Sequence, residues 1–115
     1  MAADPILLDR VRTALHRESV PFEEKKMFGG TAFMVRGKMC VAVGQERLMC
    51  RIDPAVHDQA LQHEGCRTVV MRGRNYIGYV HVDTQVLSQE RQMNYWIGLA
   101  LDYNRVAPES KRKKS

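Results

Sequence analysis

The chain has 115 residues, 44% hydrophobic and 27% charged, enough for one globular domain with a buried core and too few for a separate cofactor-binding domain beside it. Its formal net charge of +5 belongs largely to one end: four of the 18 Lys and Arg are Lys111, Arg112, Lys113 and Lys114, leaving 14 against 13 Asp and Glu, a net of +1, over residues 1–110. The charge therefore reports a basic tail rather than a basic surface, and such a tail offers salt-dependent phosphate affinity. The N-terminus has an early Asp4 and no basic segment ahead of an apolar run, unlike a secretory signal. The apolar stretch from Trp96 to Leu101 is too short to span a bilayer, so a cytoplasmic location with no membrane partner is expected. Three cysteines, Cys40, Cys50 and Cys66, have no paired spacing and are expected as reduced, buried side chains.

In chain order, Asp4-Pro5 opens a helix with an N-cap and a proline at the first helical position. Leu7, Val11, Ala14 and Leu15 recur on one face through about Ser19, and Val20-Pro21 ends it. The period then changes to two. Phe22 to Val35 reads as one long or bent strand, Arg36-Gly37 as a hairpin turn, Lys38–Gly44 as a second strand, Gln45-Glu46 as a turn and Arg47–Ile52 as a third strand. Alternation puts Met39, Val41 and Val43 on one face of the second strand and Cys40 and Ala42 on the other. Leu48, Cys50 and Ile52 alternate with Met49 and Arg51, and this register places Cys40 and Cys50 on opposite faces.

Asp53-Pro54 repeats the capping device before a helix bearing Val56, Ala60 and Leu61, which Gly65 ends. Thr68–Arg72 and Tyr76–Val82 form a second hairpin around Gly73-Arg74-Asn75. Ser88 is the expected N-cap of a last helix, with Met93, Trp96, Ile97, Ala100, Leu101 and Asn104 as its inward stripe. The order α-β-β-β-α-β-β-α predicts a two-layer α+β domain over residues 1–107, with helices on one face of an antiparallel sheet, and a disordered basic tail over 108–115.

No residue pattern dictates catalysis. Gly29-Gly30 lacks the Gly-Lys-Ser/Thr continuation and the following helix that a phosphate cradle needs, so the pair reads as a bulge or a close backbone approach. His57, His63 and Cys66 are the nearest approach to a ligand cluster, but a helix turns His57 and His63 to different faces. His16, His57, His63 and His81 have no acid–base partner at a diagnostic offset, and His81 is expected as a partly exposed sheet residue. Lys38, Arg51, Arg72 and Arg74 are candidates for a basic cluster on one sheet edge or face.

Taken together, Met27-Phe28-Gly29-Gly30, Ala32-Phe33-Met34-Val35, Gly37-Lys38-Met39 and Leu48-Met49-Cys50-Arg51 resemble the N-terminal domain of the TfoX/Sxy family. Met71-Arg72-Gly73-Arg74, Gly78-Tyr79-Val80-His81-Val82-Asp83 and the Trp96 helix continue the likeness in order over roughly residues 5–105. The resemblance implies the same two-layer α+β fold. It also implies a non-enzymatic regulatory role, because full-length members regulate natural DNA uptake, as co-activators with the cyclic-AMP receptor protein. They carry a further helical domain, which is not expected in a chain ending at Ser115. No catalytic residue, metal or cofactor is implied, and Met27, Phe28, Gly29, Gly30, Phe33, Gly37, Lys38, Met39, Gly73, Gly78 and Tyr79 are implied as structural signature positions.

The leading expectation is thus a protein-interaction domain acting on a transcription factor or polymerase. A direct nucleic-acid binder would use Lys111–Lys114 with Lys38, Arg51, Arg72 and Arg74. A small-molecule domain would use a sheet-face cleft near Phe33, Cys40 and Met49. Phe33 and Met49, assigned to the face away from the helices, also make a homodimer through that face an expectation.

Overall fold

The computed structural model describes residues 3–27 and 29–108. Helix α1 (Pro5–Arg17) starts as the capping residues dictate: Asp4 accepts hydrogen bonds from the backbone N–H of Ile6 at 3.0 Å and Leu7 at 3.4 Å. Leu7, Val11, Ala14 and Leu15 are its buried face. Six strands follow with short helices between them: β1 (Glu23–Met27), β2 (Gly30–Val35), β3 (Lys38–Val43), β4 (Arg47–Arg51), a 3₁₀ turn (Pro54–Val56), α2 (His57–Ala60), β5 (Cys66–Met71) and β6 (Arg74–Asp83). Helices α3 (Thr84–Leu87) and α4 (Glu90–Asn104) complete the domain. The strands form one antiparallel sheet in the order β1-β2-β3-β4-β6-β5, which is the expected α+β architecture with helices covering one face.

The expected long first strand is in fact two. Met27 pairs directly with Gly30, so the chain reverses between them, and Gly29 takes φ +71°. That left-handed conformation suits glycine because it has no Cβ to clash with the following carbonyl. Phe28 lies outside the described residues. Gly30 has a different reason to be glycine: a Cβ there would collide with the backbone oxygen of Val43 on β3. The close approach expected for the pair is thus a property of Gly30, and Gly29 turns the chain. Two of the other hairpins, β2–β3 and β5–β6, turn at Arg-Gly, Arg36-Gly37 with φ 56° and 75° and Arg72-Gly73 with φ 54° and 75°. The second of these sits one residue earlier than the expected Gly73-Arg74-Asn75 turn. Ser88 does not cap the last helix; its hydroxyl donates to the Gln85 carbonyl at the end of α3, and α4 begins after Gln89.

A β-bulge reassigns the faces of the sheet. Phe33 pairs with Val41 but Met34 pairs with Met39, leaving Cys40 as an extra residue on β3. An extra residue reverses the alternation. Cys40, Val41 and Val43 therefore share the helix-covered core with Phe33, Leu48, Cys50 and Trp96, whereas Met39 joins Ala32, Ala42 and Met49 on the opposite face. This corrects three expectations. Phe33 faces the helices, where it packs on Phe22 with ring centroids 5.4 Å apart. Met39 leaves the face of Val41, and Cys40 and Cys50 lie on the same side.

The expected stripe Met93, Trp96, Ile97, Ala100, Leu101 and Asn104 is buried on α4. Burying an aliphatic or aromatic side chain of this size contributes about 1.5–3 kcal/mol. Arg12 of α1 holds Glu24 of β1 through two hydrogen bonds of 2.7 and 2.9 Å, and Arg17 reaches Glu90 of α4 at 3.2 Å. Exposed pairs of this kind are screened by solvent and add little net stability, so they set orientation while the core sets stability.

The two adjacent glycines separate cleanly by mutation. Gly29→Ala should cost about 1 kcal/mol, the strain of a left-handed alanine in open space. Gly30→Ala should cost about 3 kcal/mol, because the methyl must push β2 away from β3. Urea unfolding followed by the fluorescence of Trp96 measures both, and equal losses would contradict the assignment.

Candidate functional site

The face of the sheet away from the main helical core carries five of the seven methionines, Met27, Met34, Met39, Met49 and Met71, with Ala32, Ala42, Val69 and Tyr79. Met49 and Val69 are only 7% and 1% exposed although no helical layer comparable to α1 and α4 lies over them. The sheet achieves this by curving: Met27 on edge strand β1 and Met71 on edge strand β5 line one cavity of about 780 Å³. Ala42, Met49 and Val69 line this cavity, and Gln45, Thr84 and Gln85 lie at one end.

That end is polar and charged. The register places Met49 opposite His81, His81 opposite Arg67, and Arg47 opposite Asp83. Arg67 is paired with Asp83 at 2.9 Å. The Arg47 guanidinium has no hydrogen-bond or ion-pair partner among the described residues, and neither does the His81 ring. Burial, together with the cations of Arg47 and Arg67, pushes the His81 imidazole down to about 4 against the opposing effect of Asp83. His81 is therefore a neutral imidazole at physiological pH, half-buried as its place on the strand predicts. Arg47, Arg67 and Asp83 were not candidates from sequence. The legible signal was alternation, which puts Arg47 on the face of Met49 and Asp83 on that of His81.

A second feature is the far end of the β5–β6 hairpin. Thr68 pairs with Val80 but Val69 pairs with Tyr76, so Ile77, Gly78 and Tyr79 form a bulge opposite β5. Gly78 takes φ +96°, and its carbonyl accepts a 2.8 Å hydrogen bond from the Ile52 N–H. Its own N–H donates at 2.9 Å to Nδ1 of buried His57. Nδ1 being the acceptor, Nε2 carries the hydrogen and donates to Thr68 Oγ1 at 2.9 Å. His57 thus pins both strands of the hairpin. Beyond this clamp Val70, Ile77 and Tyr76 are 56%, 55% and 37% exposed, next to Arg72 and Arg74.

The four basic candidates do not form one cluster. Lys38 is 7% exposed, and its Nζ donates to the Ala107 carbonyl at 2.9 Å. Arg51 lies between the rings of Tyr79 and Tyr103, 5.8 and 5.7 Å from their centroids, and donates to the Pro108 carbonyl at 3.2 Å. Asn104 donates to the Val35 carbonyl at 3.1 Å and accepts from Arg36 at 3.2 Å. Lys38 and Arg51 therefore hold the segment that follows α4, and Arg36 holds the side chain of its last residue, Asn104. Arg72 and Arg74 stand apart on the exposed hairpin. Lys111, Arg112, Lys113 and Lys114 lie outside the described residues. Of the signature residues, Gly37 and Gly73 are in the Arg-Gly turns, Gly78 is in the bulge, Tyr79 stacks on Arg51, and Met27 and Met39 belong to the methionine face.

Nucleophilic chemistry has little support in these positions. Burial raises the thiol of Cys40 to about 12, that of Cys66 to about 11 and that of Cys50 well above its ordinary value, so the reactive thiolate is suppressed. Among the described residues no group of three or more His, Cys, Asp and Glu could hold a metal ion, and no helix is long and apolar enough to cross a membrane.

Two measurements follow from this geometry. Because His81 titrates near 4 when folded and near its ordinary 6.5 when unfolded, the unfolded chain binds the extra proton between those values. The His81 contribution should be fully present above about 6.5 and lost as pH falls toward about 4. Urea midpoints of the protein and of His81→Gln should therefore differ by an amount that varies across this window; a difference independent of pH would contradict the environment described. Lys38→Met should cost about 2 kcal/mol by leaving the Ala107 carbonyl unpaired, and it should speed amide exchange in the last turn of α4.

The model of the TfoX N-terminal domain family matches residues 15–103. No curated protein and no solved structure shows significant similarity to the chain. The matched segment begins inside α1, contains all six strands and ends one residue before the end of α4. The chain belongs to the TfoX N-terminal domain family.

Proposed function

We propose that this chain is a non-enzymatic regulatory domain that docks a protein partner of the transcription machinery, a transcription factor or RNA polymerase, on the tip of its β5–β6 hairpin. The observation that carries this reading is the tip itself, where Val70, Ile77 and Tyr76 are exposed beside Arg72 and Arg74. Aromatic, aliphatic and arginine side chains gathered on a fixed ribbon are the usual composition of an interface centre. The His57 clamp supplies rigidity, which lowers the ordering cost of association. From Val69 through Val82 the chain has two arginines, Arg72 and Arg74, and no acidic residue, so the complementary surface is acidic.

Membership of the TfoX N-terminal domain family supports a regulatory role of the kind its competence regulators have. A second copy of the chain fits less well. The methionine face is largely closed by the curvature of its own sheet, and edge strand β1 reads Glu-Glu-Lys-Lys-Met, a charged edge that discourages strand pairing.

Biolayer interferometry with the immobilised chain, against purified cyclic-AMP receptor protein on promoter DNA and against RNA polymerase, tests this reading. Binding to one of them should weaken at least about tenfold in Val70→Ser/Ile77→Ser, as loss of a central apolar anchor does. Absence of binding to both at micromolar concentration would overturn it. Binding to DNA alone, with steep salt dependence and sensitivity to Arg72→Ser/Arg74→Ser, would assign direct nucleic-acid binding instead.

A further inference from the structure

The cavity on the methionine face has the make-up of a ligand site. Its volume of about 780 Å³ lies within the range of about 300–1,000 Å³ common to small-molecule sites, which combine apolar walls with a few convergent polar groups. Ala42, Met49 and Val69 provide buried apolar walls, and Met27 and Met71 stand at the two sheet edges. Thioether side chains adapt their shape and make favourable contacts with aromatic rings.

The polar groups are grouped at one end and are unequal in what they have left to bind. The Asp83 carboxylate is engaged by Arg67 at 2.9 Å. Among the side chains lining that end, the Arg47 guanidinium and the His81 imidazole have no hydrogen-bond or ion-pair partner among the described residues, and the same holds for the Glu46 carboxylate and the Gln85 amide. Glu46 is the other acid lining the cavity; it is exposed and precedes the first residue of β4. An unpaired guanidinium beside an unpaired imidazole N–H, at the mouth of an apolar trough, is complementary to a carboxylate whose remaining body is apolar.

We propose that this cavity binds a small aromatic carboxylate, its ring seated among Met49, Val69 and Met71 and its carboxylate held by Arg47 and His81. Val70 borders both this cavity and the hairpin tip, but the polar end formed by Arg47 and His81 lies at the other end of β6 from the tip, and the two sites are tested by different experiments.

A titration of the 115-residue chain with 2-naphthoate, followed by 1H–15N correlation spectra, tests it, with 2-naphthalenemethanol as the neutral probe of the same body. Saturable shifts at Ala42, Met49, Val69 and His81 are expected for naphthoate. The alcohol should bind at least about tenfold more weakly, as should naphthoate to Arg47→Ala, because each removes one partner of a charge-assisted contact. Arg47 is an exposed residue, so this variant retains the fold. The His81 ring also provides a readout that structural damage does not imitate. Arg47, Arg67, Glu46 and Asp83 are the charged groups lining the cavity with it; adding an anion opposes the two arginines, so saturation should raise the His81 titration midpoint. Equal affinity for acid and alcohol, shifts confined to the hairpin tip, or no saturation at millimolar naphthoate would each overturn the proposal.

Discussion

A sheet with its main helical layer on one side has to hide the apolar side chains of the other side by its own shape. That requirement governs most of this molecule. Ala32, Met39, Ala42, Met49 and Val69 are all buried on the second face. The sheet curves until its edge strands share one cavity, and its irregularities make that possible. The extra Cys40 bends β3 and reverses its alternation, sending Met39 to one face while keeping Cys40 and Val41 on the other. Bulges bend the strand that carries them and increase its twist. The second bulge, at Ile77–Tyr79, redirects β6 so that its first half pairs with β5 alone and its second half with both β5 and β4.

Each irregularity is secured by a polar contact rather than by more apolar burial. Gly78 admits the left-handed backbone of the β6 bulge, and His57 accepts the N–H that this bulge frees from the ladder. A buried amide without a partner costs about 1–3 kcal/mol, so His57 removes the penalty that would otherwise open the bulge. At the other end of the domain, Lys38, Arg51 and Asn104 do the same for carbonyls in the segment that follows α4 and on β2. Buried Trp96 Nε1 has no partner among the described residues, and nothing in its surroundings explains this.

What could be read from sequence divides along the same line. The caps at Asp4 and Asp53, the α4 stripe and the Arg36-Gly37 turn are local signals, and the structure follows each. Alternation, by contrast, carries only parity, and one unmarked extra residue inverts it. Cys40 is an ordinary strand residue with nothing to advertise a bulge, so Phe33 and Met39 were each expected on the wrong face. Gly29-Gly30 was ambiguous because a glycine pair serves a turn, a bulge or a close approach equally well. Here its members serve two of these. The cavity was illegible for a further reason: its lining comes in small shares from every strand except β2, together with two turns and a short helix, and only the curvature of the whole sheet brings them together.

Curvature also changes what the charged residues mean. In sequence Lys38, Arg51, Arg72 and Arg74 look equivalent, four cations on two hairpins. Burial and ready carbonyl partners commit the first two to the segment that follows α4, and the last two project from a tip that no other element covers. Arg47 and Arg67, unremarkable in sequence, instead set the potential around His81. Net charge therefore says less about recognition here than the number of cations left without an internal partner. Strand β5 joins the two exposed consequences. Val69, Val70 and Met71 all line the cavity, and Val70 is also exposed toward the tip. An occupant of the cavity would press on the same strand that presents the proposed docking surface, so the two sites share a physical element through which occupancy of one can alter the other.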